Sequence, residues 1–278
     1  VRLPRPPDWL IYLSAATLIV WVAFVRQERS DAPPPPPPVA GEEGVPLDPA
    51  SPFDPAVVVA GPELPQRRAG TAFSVSEAGV WLTARHVVEG CREVALQVAE
   101  GRAVAAEVRL QPGVDLAVLT TAGGAPALTV GDAAALRIAA RGFHPGYPQG
   151  AAGEVTSRYL GEETLPADRR GEAPQHVLAW AESGRTDQMR GALFGLSGAP
   201  VIDGQGRVVG VTLSETPRRG RIYTTDSDAM REAILSAGAF PATAPPAEAV
   251  TTDNYGRVAD ALRRNLSVAQ VVCAGRRL

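Results

Sequence analysis

Between about residue 67 and residue 238 the chain is a succession of short apolar runs set apart by segments rich in Gly, Pro and Asp. Gly70–Val75, Val80–Thr83, Val94–Val98, Val104–Leu110, Leu116–Thr120, Val177–Ala181, Ala199–Ile202 and Arg207–Leu213 are all rich in Val, Leu, Ile or Ala. Runs of this length and make-up, bounded by turn residues, predict strands. Asp203-Gly204-Gln205-Gly206 between two of them is a hairpin signal. The 28 glycines and 26 prolines supply the punctuation that a turn-rich sheet protein needs. Long amphipathic helices do not alternate with the runs, so a parallel α/β sheet is excluded. The pattern predicts an all-β domain of antiparallel strands, closed by a short helix over Asp228–Ser236 with Asp228 near its start.

Three other segments flank this region. Trp9–Val25 carries no charged residue. At about 17 residues it meets the shorter limit for a bilayer span. Trp9, Tyr12, Trp21 and Phe24 lie towards its ends, where aromatic rings favour the headgroup region. A cleaved signal peptide is the alternative, but the stretch exceeds the usual h-region and no A-x-A site closes it. Arg2 and Arg5 make the leading flank positive, which predicts a cytoplasmic N-terminus and an outside location for the rest. Residues 26–66 read as a linker in which Pro33–Pro38 forms a semi-rigid polyproline spacer. Residues 239–278 read as an extension. It holds a loop at Pro241–Pro246, a helix over Asn254–Leu266 with Val258, Leu262 and Leu266 on one face, and a strand at Val268–Cys273. The expected organisation is therefore 1–8 cytoplasmic, 9–25 transmembrane helix, 26–66 linker, 67–238 all-β domain and 239–278 C-terminal extension.

Composition removes several function classes. The formal net charge is -3 and no long Lys/Arg run occurs, so no nucleic-acid partner is expected. Cys91 and Cys273 stand far apart, unlike the close ligand pairs of a zinc site. No metal and no cofactor are expected.

Three short motifs carry chemistry. Thr71-Ala-Phe-Ser leads through an apolar run to Thr83-Ala-Arg-His86-Val-Val. Val114-Asp115-Leu-Ala-Val-Leu119 sets an acid directly before a strand. Gly195-Leu-Ser197-Gly-Ala-Pro200-Val-Ile holds a serine between two glycines, again before a strand. Taken singly, each has a structural explanation: a satisfied histidine, a strand cap and a tight turn. Together they supply what acyl transfer requires. A histidine titrates near neutrality and can take and return a proton. A carboxylate fixes its tautomer. Glycines beside the serine let backbone N–H groups approach a developing oxyanion.

The order His, Asp, Ser and the words around these residues resemble the trypsin/chymotrypsin superfamily of serine peptidases. The nearest flavour is the bacterial HtrA/Deg type, with signatures G-T-G-F…T-x-x-H-V-V, D-x-A-V-L and G-N-S-G-G-P. Gly142-Phe-His-Pro-Gly-Tyr-Pro resembles the family's turn opening a second barrel, Val208-Val-Gly-Val-Thr212 its strand after the serine, and Tyr223–Ser227 its closing strand. The resemblance covers about Arg67 to Gly238. It implies two antiparallel β-barrels and a serine endopeptidase acting on protein or peptide substrates. It further implies His86, Asp115 and Ser197 as the triad, and the N–H groups of Gly195 and Ser197 as the oxyanion hole. A substrate pocket with Gly191 at its base, Thr212, Leu213 and Ser214 as wall and Phe194 at its entrance also follows. No acid stands at Gly191, so a small or medium apolar side chain is expected there. Leu196 and Ala199 depart from the family's pattern. A membrane-anchored binding module of the same fold, without activity, is the alternative. About 40 residues follow Gly238, fewer than a PDZ domain needs. The resemblance also implies a bacterial source. That makes the location the inner membrane, crossed once by residues 9–25, with the peptidase domain periplasmic. In that oxidising compartment Cys91 and Cys273 are expected to pair, tying the tail to the first barrel, with two separate thiols as the alternative.

Overall fold

The computed structural model describes residues 13–18, 21, 68–165, 174–187, 189–216 and 220–276. Twelve strands form two closed barrels. The first contains β1 (Arg68–Ser76), β2 (Val80–Thr83), β3 (Cys91–Ala99), β4 (Arg102–Leu110), β5 (Ala117–Thr120) and β12 (Val268–Arg276), in the order β1-β12-β3-β4-β5-β2. The second contains β6 (Arg141–Gly146), β7 (Gly153–Leu165), β8 (Gln175–Arg185), β9 (Pro200–Ile202), β10 (Val208–Thr216) and β11 (Arg221–Thr224), in the order β10-β11-β8-β7-β6-β9. Neighbouring staves pair antiparallel throughout both barrels.

Closure is a physical solution to the edge problem: a barrel leaves no row of unpaired N–H and C=O groups. The first barrel achieves it with the end of the chain. β12 lies between β1 and β3, pairing Val268 with Phe73 and Gln270 with Gln97. The sequence reading sets this strand in an extension, whereas the other five staves of the barrel cannot close without it. Val268, Ala269 and Val271 are fully buried there, which is where the apolar run of the tail goes. The Cys91–Cys273 disulfide joins β3 to β12, with Cα atoms 5.5 Å apart.

Two helices cover the seam. α2 (Ser227–Ser236) begins one residue ahead of the predicted start, because Asp226, and not Asp228, accepts the Ala229 N–H at 2.8 Å as N-cap. It buries Met230, Ala233 and Ile234, the i, i+3, i+4 stripe of an amphipathic helix. α3 (Tyr255–Arg264) is shorter than predicted, and its buried face is also different: Tyr255, Ala259 and Arg263 point inward, with Val258 and Leu262 half-buried beside them. A charged residue can take that place because Arg263 pairs with the buried Glu154 and with Asp260.

The strand β7 is the longest element, and no apolar run announced it. Its second half carries Glu162 on an exposed and Glu163 on a half-buried position, which breaks the apolar signal that marks the other strands. At the N-terminal end, residues 13–18 and Trp21 are helical and exposed. Among the described residues no helix is long and apolar enough to cross a membrane. The rest of the predicted span 9–25, residues 1–8 and the 26–66 linker lie outside the described residues.

Candidate active site

β2 ends at Thr83, and the chain turns through the extended Ala84 into a single helical turn, α1 (Arg85–Val88). Val87 and Val88 are buried, so the turn is anchored by its apolar side and His86 is left at the surface of a cleft. Asp115 precedes β5 in a tight loop in which Leu116 N–H donates to Val114 O at 2.9 Å and Gln111 N–H to Leu116 O at 2.9 Å. Leu116 is fully buried, and Asp115 faces His86.

The carboxylate of Asp115 holds His86 twice. Oδ1 accepts the His86 backbone N–H at 2.9 Å, and Oδ2 lies 2.6 Å from the ring Nδ1. A carboxylate only accepts, so the ring proton sits on Nδ1 and leaves Nε2 as the acceptor of the neutral imidazole. This fixes position and tautomer together.

Ser197 stands on the loop before β9. Gly195 (φ 91°) and Gly198 (φ 87°) flank it in the left-handed region. A Cβ on Gly195 would fall 2.5 Å from Tyr147 O, and one on Gly198 2.0 Å from Thr71 O, so neither position has room for a side chain. Gly198 N–H donates to Thr212 O at 2.7 Å, and Thr212 N–H to Ala199 O at 2.8 Å, which ties the loop to β10. The two departures from the family pattern lie in the core: Leu196 packs into the second barrel's apolar cluster, and Ala199 is fully buried beside it. The Ser197 hydroxyl donates to Leu213 O at 3.1 Å.

Thr71, buried in β1, reaches across from the first barrel. Its N–H donates to Ser197 O at 2.9 Å and its hydroxyl to Gly195 O at 2.8 Å, while the hydroxyl accepts Tyr147 N–H at 3.1 Å. Sequence reasoning quoted Thr71 within a motif and gave it no role. Its contribution depends on which backbone atoms the fold brings beside it.

His86, Asp115 and Ser197 line one cavity of about 330 Å³. Phe194, 65% exposed, stands at its mouth. Thr212, Leu213 and Ser214 line part of its wall. Gly191 does not line it: that residue lies on an exposed turn (φ 76°), its carbonyl accepting Arg185 at 2.7 Å. Ala192, Leu193 and Ile222, which sequence reasoning missed, complete an apolar lining. They were missed because an apolar residue facing a cleft and one facing a core look alike in sequence.

Two six-stranded barrels bring a carboxylate-held histidine and a glycine-flanked serine to one cleft. The family model for the trypsin-like peptidase domain matches residues 70–211. The chain belongs to that family. Among curated proteins it is 31% identical over 159 residues to a probable periplasmic serine endoprotease, DegP-like, of Halomonas elongata, covering 56% of this chain and 31% of that protein. A protein of the same description from Chlamydia muridarum is 31% identical over 152 residues, covering 53% of this chain and 29% of its own length. The matched part thus spans about a third of these relatives. Among solved structures, the active form of the Rv3671c protease from M. tuberculosis superposes with a TM-score of 0.53 at 25% identity, covering 66% of this chain and 76% of that one. An inactive form of the same protease gives 0.51 at 23%, a likeness of fold, over 62% of this chain and 87% of that one.

Proposed function

We propose that the protein is a serine endopeptidase that cleaves protein or peptide substrates through an acyl-enzyme, with Ser197 as nucleophile, His86 as base and then acid, and Asp115 as the group that orients His86. The observation that carries this reading is the double hold of Asp115 on His86 in a cavity that Ser197 shares. In the first step the Ser197 hydroxyl leaves Leu213 O, attacks the scissile carbonyl carbon and passes its proton to His86 Nε2. The negative charge moves to the carbonyl oxygen, and the Gly195 and Ser197 N–H groups receive it. The C–N bond then breaks as His86 returns the proton to the departing amine. Water repeats the sequence on the acyl-enzyme and frees Ser197. Asp115 keeps its proton-free form throughout and stabilises the imidazolium. Ala192, Leu193, Leu213 and Ile222 favour a small or medium apolar side chain before the cut bond.

Hydrolysis of a peptide library tests the assignment. Ser197→Ala and His86→Ala should abolish turnover with the melting transition unchanged, and Asp115→Asn should lower kcat by roughly 10⁴-fold. A rate undiminished in Ser197→Ala would rule the mechanism out.

We place this activity outside the cytoplasm of a bacterium, anchored by Trp9–Val25. The support is the uncharged stretch in the sequence, the periplasmic description of the DegP-like relatives, and a disulfide suited to an oxidising compartment. The full chain should stay with the membrane pellet after alkaline carbonate extraction, and protease added to spheroplasts should digest the domain. Full protection would reverse the orientation.

A further inference from the structure

The loop that leads to Ser197 is held by a residue that no motif contains. Tyr147 to Gly150 form a turn after β6, and Gln149 in that turn donates three hydrogen bonds to carbonyls of residues 190–194. Its backbone N–H goes to Phe194 O at 2.6 Å. Its side-chain amide goes to Arg190 O at 2.5 Å and to Ala192 O at 3.0 Å. A primary amide has two N–H donors, and both are used on this one loop.

The bond to Phe194 O has a directional consequence. The peptide bonds of the described chain are trans, so each carbonyl and the following N–H point to opposite sides of the peptide plane. With Phe194 O turned onto Gln149, the Gly195 N–H is turned away from the 147–150 turn. The next carbonyl, Gly195 O, is fixed separately by the Thr71 hydroxyl at 2.8 Å. Both carbonyls that flank Gly195 are therefore taken, one from each barrel, and a flip of the Phe194–Gly195 peptide would break the Gln149 bond.

Gln149 adopts φ 57°, in the left-handed region that disfavours side chains, next to Gly150 at φ 80°. Glycine would fit this conformation without strain, so the turn by itself does not call for glutamine. The side-chain bonds are exposed, and exposed hydrogen bonds contribute little net stability because water replaces them. They nevertheless restrict where the loop can sit. The turn is backed in its turn by β12, whose Gln270 amide donates to Gly150 O at 3.3 Å.

We infer that Gln149 is a positioning residue for the oxyanion loop: its side-chain amide, on the Arg190 and Ala192 carbonyls, keeps the loop where the Gln149 backbone N–H holds Phe194 O and the Gly195 N–H faces the substrate carbonyl. The inference rests on the reading of Ser197 as nucleophile and adds to it the device that keeps the receiving N–H in place. A residue that acts on the charge of the transition state lowers kcat and leaves KM nearly untouched when removed.

The test compares Gln149→Gly and Gln149→Glu with the wild type. The glycine variant keeps the backbone N–H, suits the positive φ and removes only the amide. The glutamate variant keeps the length and replaces the donors with a carboxylate. Steady-state hydrolysis of a peptide substrate, the rate at which a fluorophosphonate probe modifies Ser197, and thermal melting are measured on each. The probe reports the same geometry, because its phosphoryl oxygen needs the same N–H groups. We expect kcat and the probe rate to fall together by roughly 10- to 100-fold, less than the 10²–10³ that follows removal of an oxyanion donor itself. KM should stay within about twofold and the melting transition should be unchanged. Unchanged kcat in both variants overturns the inference, as does a loss of kcat that tracks a loss of fold. A wild-type protein that neither hydrolyses the substrate nor takes the probe overturns the peptidase reading, and this inference with it.

Discussion

His144 is fully buried in β6 and adjoins Thr212 of the cleft wall. Its ring nitrogens lie 2.7 Å from Ser157 Oγ and 3.1 Å from Thr212 Oγ1, and its edge meets Trp180. Burial holds its pKa down to about 3, below the ordinary 6.5. In the folded protein the ring is therefore neutral, and in the unfolded chain it takes up a proton first. The stability this contributes is complete above about pH 6.5 and is lost as pH falls from there towards 3, at about 1.4 kcal/mol per pH unit. Urea unfolding between pH 6.5 and 5.0 should show that slope, and His144→Gln should flatten it. An equal slope in the variant would place the titration elsewhere. At this scale the sequence was legible where chemistry sits in short words: His86, Asp115 and Ser197 each stand in one. Thr71 and Gln149 were not, because each acts on carbonyls far away in the chain, which residues 190–198 bring to them only in the folded protein.

Between elements, the buried pair of Glu154 in β7 and Arg263 in α3 joins the C-terminal helix to the second barrel. Arg263 also donates to Gly153 O at 3.3 Å, and Glu154 Oε2 accepts the Thr186 hydroxyl at 2.6 Å. Burial works against the Arg263 charge, yet Glu154 and Asp260 outweigh it and raise its pKa above the usual value. Removing Glu154 leaves the buried Arg263 charge with only the partly exposed Asp260 as counter-ion, and breaking a buried pair in this way costs roughly 3–5 kcal/mol. Glu154→Ala should lower stability on that scale in denaturant unfolding, and a loss below about 1 kcal/mol would show that the pair carries no such weight. The same elements mark the limit of local patterning. α3 shows its Val258/Leu262 stripe in the sequence, but its inward arginine becomes sensible only once Glu154 is across from it. β12 was readable as a strand from Val268–Cys273, whereas its place between β1 and β3 depends on pairing with segments at the other end of the domain.

Over the whole molecule, each barrel supplies what the other lacks. The first brings His86 and Asp115 and, through Thr71, grips the serine loop. The second brings Ser197, the Gln149 turn and the apolar wall of the cavity. β12 links the end of the chain to the same assembly, bonded to β3 through Cys91–Cys273 and to the Gly150 turn through Gln270. The all-β, two-barrel architecture was legible from the short apolar runs and their resemblance to known peptidases, and the place of β12, the stave from outside the resembling segment, was not. Activation of Ser197 by this cleft can be read from one labelling experiment, in which the protein is incubated with a fluorophosphonate probe and analysed by peptide mass spectrometry. One adduct per chain is expected, on Ser197, abolished by Ser197→Ala and by His86→Ala in folded protein. Wild-type protein left unmodified, or modified equally in the Ser197→Ala variant, would contradict that activation.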